Sequence, residues 1–210
     1  MKDEKTGQDM VAAVLNAAVQ GLAESRPAQP VIDQGVIESD EAFSGLIRVT
    51  SPVIYRFLAR MVRSPEDALD LTQEVFLAAH KSRAKFRVGS PALPYLLTIA
   101  RRKAISLLRW RSVRSIVHSL SDANRDLAED RTPSPRDRAD EQQRLQALDS
   151  ALARLKPTER AAVVLRLFEE RPYEEIAQVM AKPVGTVKCV VFRAERKLRN
   201  HLETIRLQES

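Results

Sequence analysis

Residues 172–200 read PYEEIAQVMAKPVGTVKCVVFRAERKLRN, and this stretch decides the fold. Pro172 opens a short helical segment through Met180, with Glu174 and Glu175 in its first turn, where acids complement the helix dipole. Ala181-Lys182-Pro183-Val184-Gly185 is too rich in breakers to continue it and reads as a tight turn. Thr186 is expected to cap a long helix running from Val187 to about Thr204. Between Val187 and Asn200 that helix carries Lys188, Arg193, Arg196, Lys197 and Arg199 against the single acid Glu195. A short helix, a tight turn and a basic helix form the helix-turn-helix pattern, whose second helix enters the DNA major groove and whose cations reach phosphates. An ordinary helical hairpin has the same spacing, so only the basic helix argues for nucleic acid.

Upstream, Leu145, Leu148, Leu152 and Leu155 recur at helical spacing, Lys156-Pro157-Thr158 interrupts them, and Ala161–Phe168 is a second, largely apolar helix. These residues complete a C-terminal unit over 141–207. Ser115–Asp140 is polar and acid-rich, carries Pro133 and Pro135, and reads as a flexible linker that lets two units change their separation.

The remaining apolar periodicity lies in 41–114. Phe43, Leu46, Ile47 and Val49 begin a helix, Ser51-Pro52 restarts it, and Ile54, Phe57, Leu58, Met61 and Val62 continue the spacing. Ser64-Pro65-Glu66-Asp67 is a helix start: serine caps, proline suits the first helical position, and acids suit the first turn. The helix that follows puts Ala68, Leu71, Val75 and Ala79 on one side and Asp67, Asp70, Gln73 and Glu74 on the other. A last helix is expected over Tyr95–Arg111. Residues 1–40, with a short apolar stretch at Asp9–Glu24 ended by Pro27, Pro30 and Gly35, form an N-terminal extension whose order the sequence leaves open.

From Lys81 to Arg114 there are ten Lys and Arg and no Asp or Glu. Surfaces ordinarily mix signs, because like charges repel. Phe86, Tyr95 and Trp110 interleave with these cations. Each ring alone is as well explained by the core as by stacking on unpaired bases.

The composition agrees with an all-α protein: 210 residues with few aromatics and six glycines give two small helical domains. The net charge of +6, held in clusters, points to a polyanionic partner. No stretch approaches the roughly 20 apolar residues of a membrane span. The one cysteine, Cys189, fits a reducing cytoplasm, and the scattered histidines offer no metal-ligand spacing. Phosphate-loop and serine-hydrolase motifs are absent, so neither an enzyme nor a cofactor is expected.

The segments EAFSGLIRVTSPVIYRFLARMV (41–62), DALDLTQEVF (67–76) and PYLLTIARRKAISLLR (94–109), followed by ALARLKPTERAAVVLRLFEERPYEEIAQVMAKPVGTVK (151–188), resemble regions 2 and 4 of the bacterial extracytoplasmic-function sigma factors, in the family's order. The resemblance implies a region 2 helical bundle that binds the clamp of core RNA polymerase and melts the −10 element. It implies a region 4 helix-turn-helix that reads the −35 element. On matching positions Asp67, Asp70, Gln73 and Glu74 face polymerase. Lys81, Arg83, Lys85, Arg87, Arg101, Arg102, Lys103 and Arg109 hold −10 DNA. Thr186, Lys188, Cys189, Phe192, Arg193, Arg196 and Lys197 face the −35 element. The implied partners are core RNA polymerase and promoter DNA, with an anti-sigma protein or a regulatory kinase as further candidates and no membrane.

The chain departs from the family at Leu69, where Glu is usual, and at His80 and Tyr95, where Trp is usual. Asn is usual at Arg102 and Asp at Ser106. Ser, Arg and His are usual at Cys189, Val190 and Phe192. A consensus promoter therefore does not transfer. Leu69 is expected to pack against a neighbouring helix. The alternative is a clamp contact short of one negative charge, which phosphorylation of Thr50, Ser51, Ser64 or Thr72 would restore. Two other functions compete: a helix-turn-helix regulator acting without polymerase, which leaves the basic block of 81–114 unused, and an adaptor or antagonist with no DNA role.

Overall fold

The computed structural model describes residues 30–33, 36, 38–121 and 146–208. Among these residues all regular structure is helical, apart from one isolated antiparallel bridge, Val31 with Pro91. The stretch Asp9–Glu24 lies outside the described residues, as does most of the expected linker.

Helix α1 spans Asp40–Val62. The Ser39 side chain accepts from the amides of Glu41 and Ala42, and Arg63 closes the helix in the left-handed region at φ 62°. The break expected at Ser51-Pro52 does not occur: α1 runs through Pro52. Proline removes one backbone donor, but the flanking Phe43, Leu46, Val53, Ile54 and Phe57 are all buried, so packing outweighs the lost bond. Helix α2 spans Pro65–Lys81, with Ser64 accepting from the Asp67 amide as its composition required. A 3₁₀ turn, Arg83–Lys85, leads to helix α3, Ala92–Ser121.

Helix α3 is longer than the Tyr95–Arg111 expected, and Ser115–Ser121, read as linker, continue it. That segment contains no Pro or Gly to stop a helix. Helices α1, α2 and α3 bury Ile54, Phe57, Leu58, Met61, Val75, Leu96 and Leu97 between them. Residues 30–32 belong to this bundle. Ile32 donates its amide to the Ser90 carbonyl at 2.9 Å and accepts from the Gly89 amide at 2.8 Å, with Gly89 at φ 81°.

The C-terminal unit begins with α4 (146–153), followed by α5 (Pro157–Val163), which runs into a π-helical turn, Val164–Phe168. Helix α6 is Tyr173–Met180 and α7 is Val184–Gln208. Leu152, Val163, Leu165, Ile176 and Leu198 form the core. Ala181, at φ 52°, ends α6 in the left-handed region, and the Lys182 amide reaches back to the Ala177 carbonyl at 3.0 Å. The turn is shorter than expected. Thr186 does not cap α7 but lies inside its first turn, because the chain is helical from Val184 and the Val187 amide already bonds the Pro183 carbonyl.

The two units pack on each other. Helices α1 and α3 of the first meet α5, its π turn and α6 of the second.

Candidate nucleic-acid interface

Helix α7 divides its faces sharply. Val187, Val191, Ala194, Leu198 and Leu202 are buried, while Gly185, Thr186, Lys188, Cys189, Phe192, Arg193, Arg196 and Lys197 are exposed. The buried residues fall on one side at helical spacing, which forces the others outward. Burial of that apolar stripe therefore presents the basic face. Not every cation on it is equally available. Lys197 donates to Glu159 at 2.7 Å, and Lys188 lies 5.5 Å from the Tyr173 ring centroid. Burial favours protonation of Glu159, but Lys197 and the Lys156 amide outweigh it and hold the carboxyl below its ordinary range.

In the first unit the basic block is not bare. The acids missing from 81–114 come from neighbouring helices. Lys103 donates to Glu74 at 2.6 Å, Arg111 donates to both carboxylate oxygens of Asp67 at 2.7 Å, and Arg83 is paired with Asp40. Asp67 and Glu74, expected to face polymerase, are thus joined to cations of the block expected to hold DNA. Burial favours protonation of Asp67, but the Ser64 hydroxyl and Arg111 outweigh it and keep the carboxyl below its ordinary range. Asp70 and Gln73 stand exposed on α2, as do Lys81, Lys85, Arg87, Arg102 and Arg109 in the basic block.

The interleaved aromatics divide. Phe86 is buried edge-on to Tyr95 with centroids 4.9 Å apart, and the Tyr95 hydroxyl is 2.8 Å from that of Ser82, so both rings belong to the core. Trp110 is exposed with Arg114 stacked 5.1 Å away. Leu69 does not pack as expected; it is 53% exposed, because its position on α2 faces away from α1 and α3. Among the hydroxyls considered for phosphorylation, Thr50 is buried and donates to the Leu46 carbonyl, so it offers a kinase nothing. Thr72 donates to the Ala68 carbonyl, and Ser64 caps α2.

A charged junction that sequence reasoning missed joins the units. Arg160 is buried and donates three times: to the Leu152 and Ala153 carbonyls at 2.8 Å each, and to the Met61 carbonyl of the first unit at 2.6 Å. Arg56 meets buried Glu169 at 3.2 Å, and Arg60 stacks 4.5 Å from the Phe168 ring centroid. Arg101, expected on −10 DNA, is half-buried and donates to the Val179 carbonyl of α6 at 3.0 Å. Burial pushes the Glu169 carboxyl up despite Arg56 and Arg60, and pushes Asp149 up despite Arg63, Arg60 and Arg160. A charged residue inside an apolar run, as Arg160 is within TERAAVV, was the only available signal.

Residues 46–128 match Sigma-70 region 2, and residues 145–198 match Sigma-70, region 4. The chain is 34% identical over 171 residues to RNA polymerase sigma factor CarQ of Myxococcus xanthus, covering 81% of this chain and 94% of that protein. It is 28% identical over 169 residues to RNA polymerase sigma factor YlaC of Bacillus subtilis, covering 80% and 96%. Among solved structures, the sigma factor RpoE in complex with the anti-sigma factor NepR from Bartonella quintana superposes with a TM-score of 0.61 at 25% identity, covering 78% of this chain and 98% of that one. CnrH, in complex with the cytosolic domain of CnrY, shares the fold at a TM-score of 0.61 and 20% identity, covering 81% and 94%. Two matched regions in family order, on a helical bundle and a helix-turn-helix with a basic outer face, place this chain among the extracytoplasmic-function sigma factors, which bind core RNA polymerase and direct promoter-specific initiation.

Proposed function

We propose that the unit of 41–114, with α3 continuing through Ser121, docks on polymerase and holds the melted −10 strand, that the unit of 141–207 reads the −35 duplex, and that the remainder of 115–140 beyond Ser121 joins them. The observation that carries this reading is the exposed basic face of α7 opposite its buried apolar stripe. Asp70 and Gln73, with the paired Asp67 and Glu74 beside them, form the polymerase face. Lys81, Lys85, Arg87, Arg102 and Arg109 supply the −10 contacts. Arg83 and Lys103 join them by exchanging their acids for phosphates. Thr186, Lys188, Cys189, Phe192, Arg193 and Arg196 supply the −35 contacts, with Lys197 released from Glu159.

The packed arrangement bears on the order of events. Helices in contact lie about 10 Å apart, whereas elements named for positions −35 and −10 are separated by roughly 85 Å of B-DNA at about 3.4 Å per base pair. Engagement of both therefore requires the units to part, breaking the Arg160–Met61 and Arg101–Val179 contacts. Residues 122–145 reach at most about 80 Å when extended, which suffices once each unit's own width is added. Arg101 becomes available to DNA only in the parted form.

The protein acts in the cytoplasm, with catalysis supplied by polymerase, and an anti-sigma protein is its expected antagonist. Run-off transcription with core polymerase and genomic fragments tests the reading. Discrete transcripts that depend on the protein support it. Tight duplex binding by the protein alone, with no gain in transcription from core, overturns it.

A further inference from the structure

Phe192 is 66% exposed, more than any other large hydrophobic residue among those described. It projects from the basic face of α7, the one surface where an apolar ring is least expected. At about 100° per residue, Gly185, Cys189 and Phe192 fall within about 60° of one another, on the side away from the buried Val187, Val191 and Leu198. Along the axis they cover about 10 Å, the rise of roughly three base pairs. Cys189 is exposed and in no disulfide, about one helical turn before the ring. Gly185 has no side chain, and neither Cys189 nor Phe192 can make the paired hydrogen bonds by which Arg, Asn or Gln distinguish purines. The nearest cation on the N-terminal side, Lys188, is drawn over the Tyr173 ring that Arg166 also covers.

A phenyl ring pressed against a polar base edge strips its donors and acceptors of water and returns no bond. In the major groove one group avoids that cost, the thymine C5-methyl. We propose that Phe192, with Cys189 beside it, is a specificity determinant that reads thymine methyls in the upstream promoter element. The proposal rests on the assignment of α7 to that element and adds what the helix selects. Arg193 and Arg196, on the same exposed side, hold the flanking phosphates and contribute affinity without preference.

The test uses holoenzyme assembled from core polymerase and the full chain. Binding sites are selected from a promoter randomised across the upstream element, and each selected thymine is then replaced singly by deoxyuridine, which removes only the methyl. The expected result is an A·T requirement at one or two positions, with uracil weakening binding about fourfold there. Phe192→Ala should bind thymine and uracil alike, while Phe192→Leu should keep part of the discrimination. Arg193→Ala should weaken both templates equally and leave their ratio unchanged. Uracil tolerated at every position, or discrimination that survives in Phe192→Ala, overturns the proposal while leaving the helix on DNA. A selection that returns no upstream preference, with Arg193→Ala binding as wild type does, overturns the assignment of α7 as well.

Discussion

The two units carry their charges in opposite ways. In the C-terminal unit one helix does both jobs: the apolar side of α7 builds the core and the other side is the reading surface, so Arg193 and Arg196 are presented by a single periodicity. In the N-terminal unit the candidate residues are shared among three helices and clasped across them, Lys103 to Glu74 and Arg111 to Asp67. A surface made by one helix acts residue by residue. A surface made by cross-helix pairs responds as a network, in which removing one partner alters the other's role.

The strongest challenge to this contrast lies where the units meet. Replacing Arg160 by Met removes three hydrogen bonds to carbonyls that keep their burial, and is expected to cost about 3–5 kcal/mol in denaturant unfolding. A loss below about 1 kcal/mol would mean that water replaces the guanidinium and that the junction is loose.

Next in size are the α7 cations. Arg193→Ala and Arg196→Ala should each lower duplex affinity and reduce the salt slope by roughly 0.9 per phosphate contact, additively. Lys197→Ala should do less, since Lys197 first has to leave Glu159. Equal effects from all three would show that the pair does not form in solution.

The pH dependence of the junction is smaller. Glu169 has its carboxyl pushed up by burial, so the folded state binds the proton more tightly than the unfolded chain. Stability from this group is therefore full at acid pH and declines as pH rises from the ordinary glutamate range through the raised value. Asp67 and Glu159, held below their ordinary range, run the other way: they stabilise at neutral pH and lose that contribution as pH falls through their folded values. Glu169→Gln should flatten the first decline when denaturation midpoints are compared from about pH 5 to 7.5. An unchanged profile would place the titration elsewhere.

The smallest effect concerns Leu69. With the side chain exposed, Leu69→Glu leaves the fold intact and adds a carboxylate beside Asp70 and Gln73. Measured against core polymerase, a gain of up to about tenfold marks a contact that lacks charge. No gain marks an apolar contact that leucine already satisfies.

These differences follow what a linear sequence can encode. The helix-turn-helix was legible because its signals are local: breakers at Lys182-Pro183 and an apolar stripe with cations opposite. The Ser64 cap was legible for the same reason. Pro52 misled because a buried helix overrides a local breaker, and Thr186 misled because the helix begins at Val184, three residues before the Val187 start that a Thr186 cap implies. The absence of acids from 81–114 read as unneutralised charge, yet Asp40, Asp67 and Glu74 reach it from helices distant in sequence. Arg56 and Glu169 carry no local pattern, and Arg160 only that of a charge at the head of an apolar run, since their meaning depends on a contact between units.

The division of labour is tested most directly by comparing Arg102→Ala with Arg193→Ala in holoenzyme, scoring duplex binding by gel shift and strand opening by permanganate reactivity. Arg102 is the cleaner probe of the first unit, being exposed where Arg101 is committed to Val179 and Lys103 to Glu74. Arg102→Ala should bind the promoter nearly as wild type does and open it poorly. Arg193→Ala should bind poorly and open whatever it binds normally. Loss of binding and opening in the same proportion in both variants would contradict separate roles for the two units.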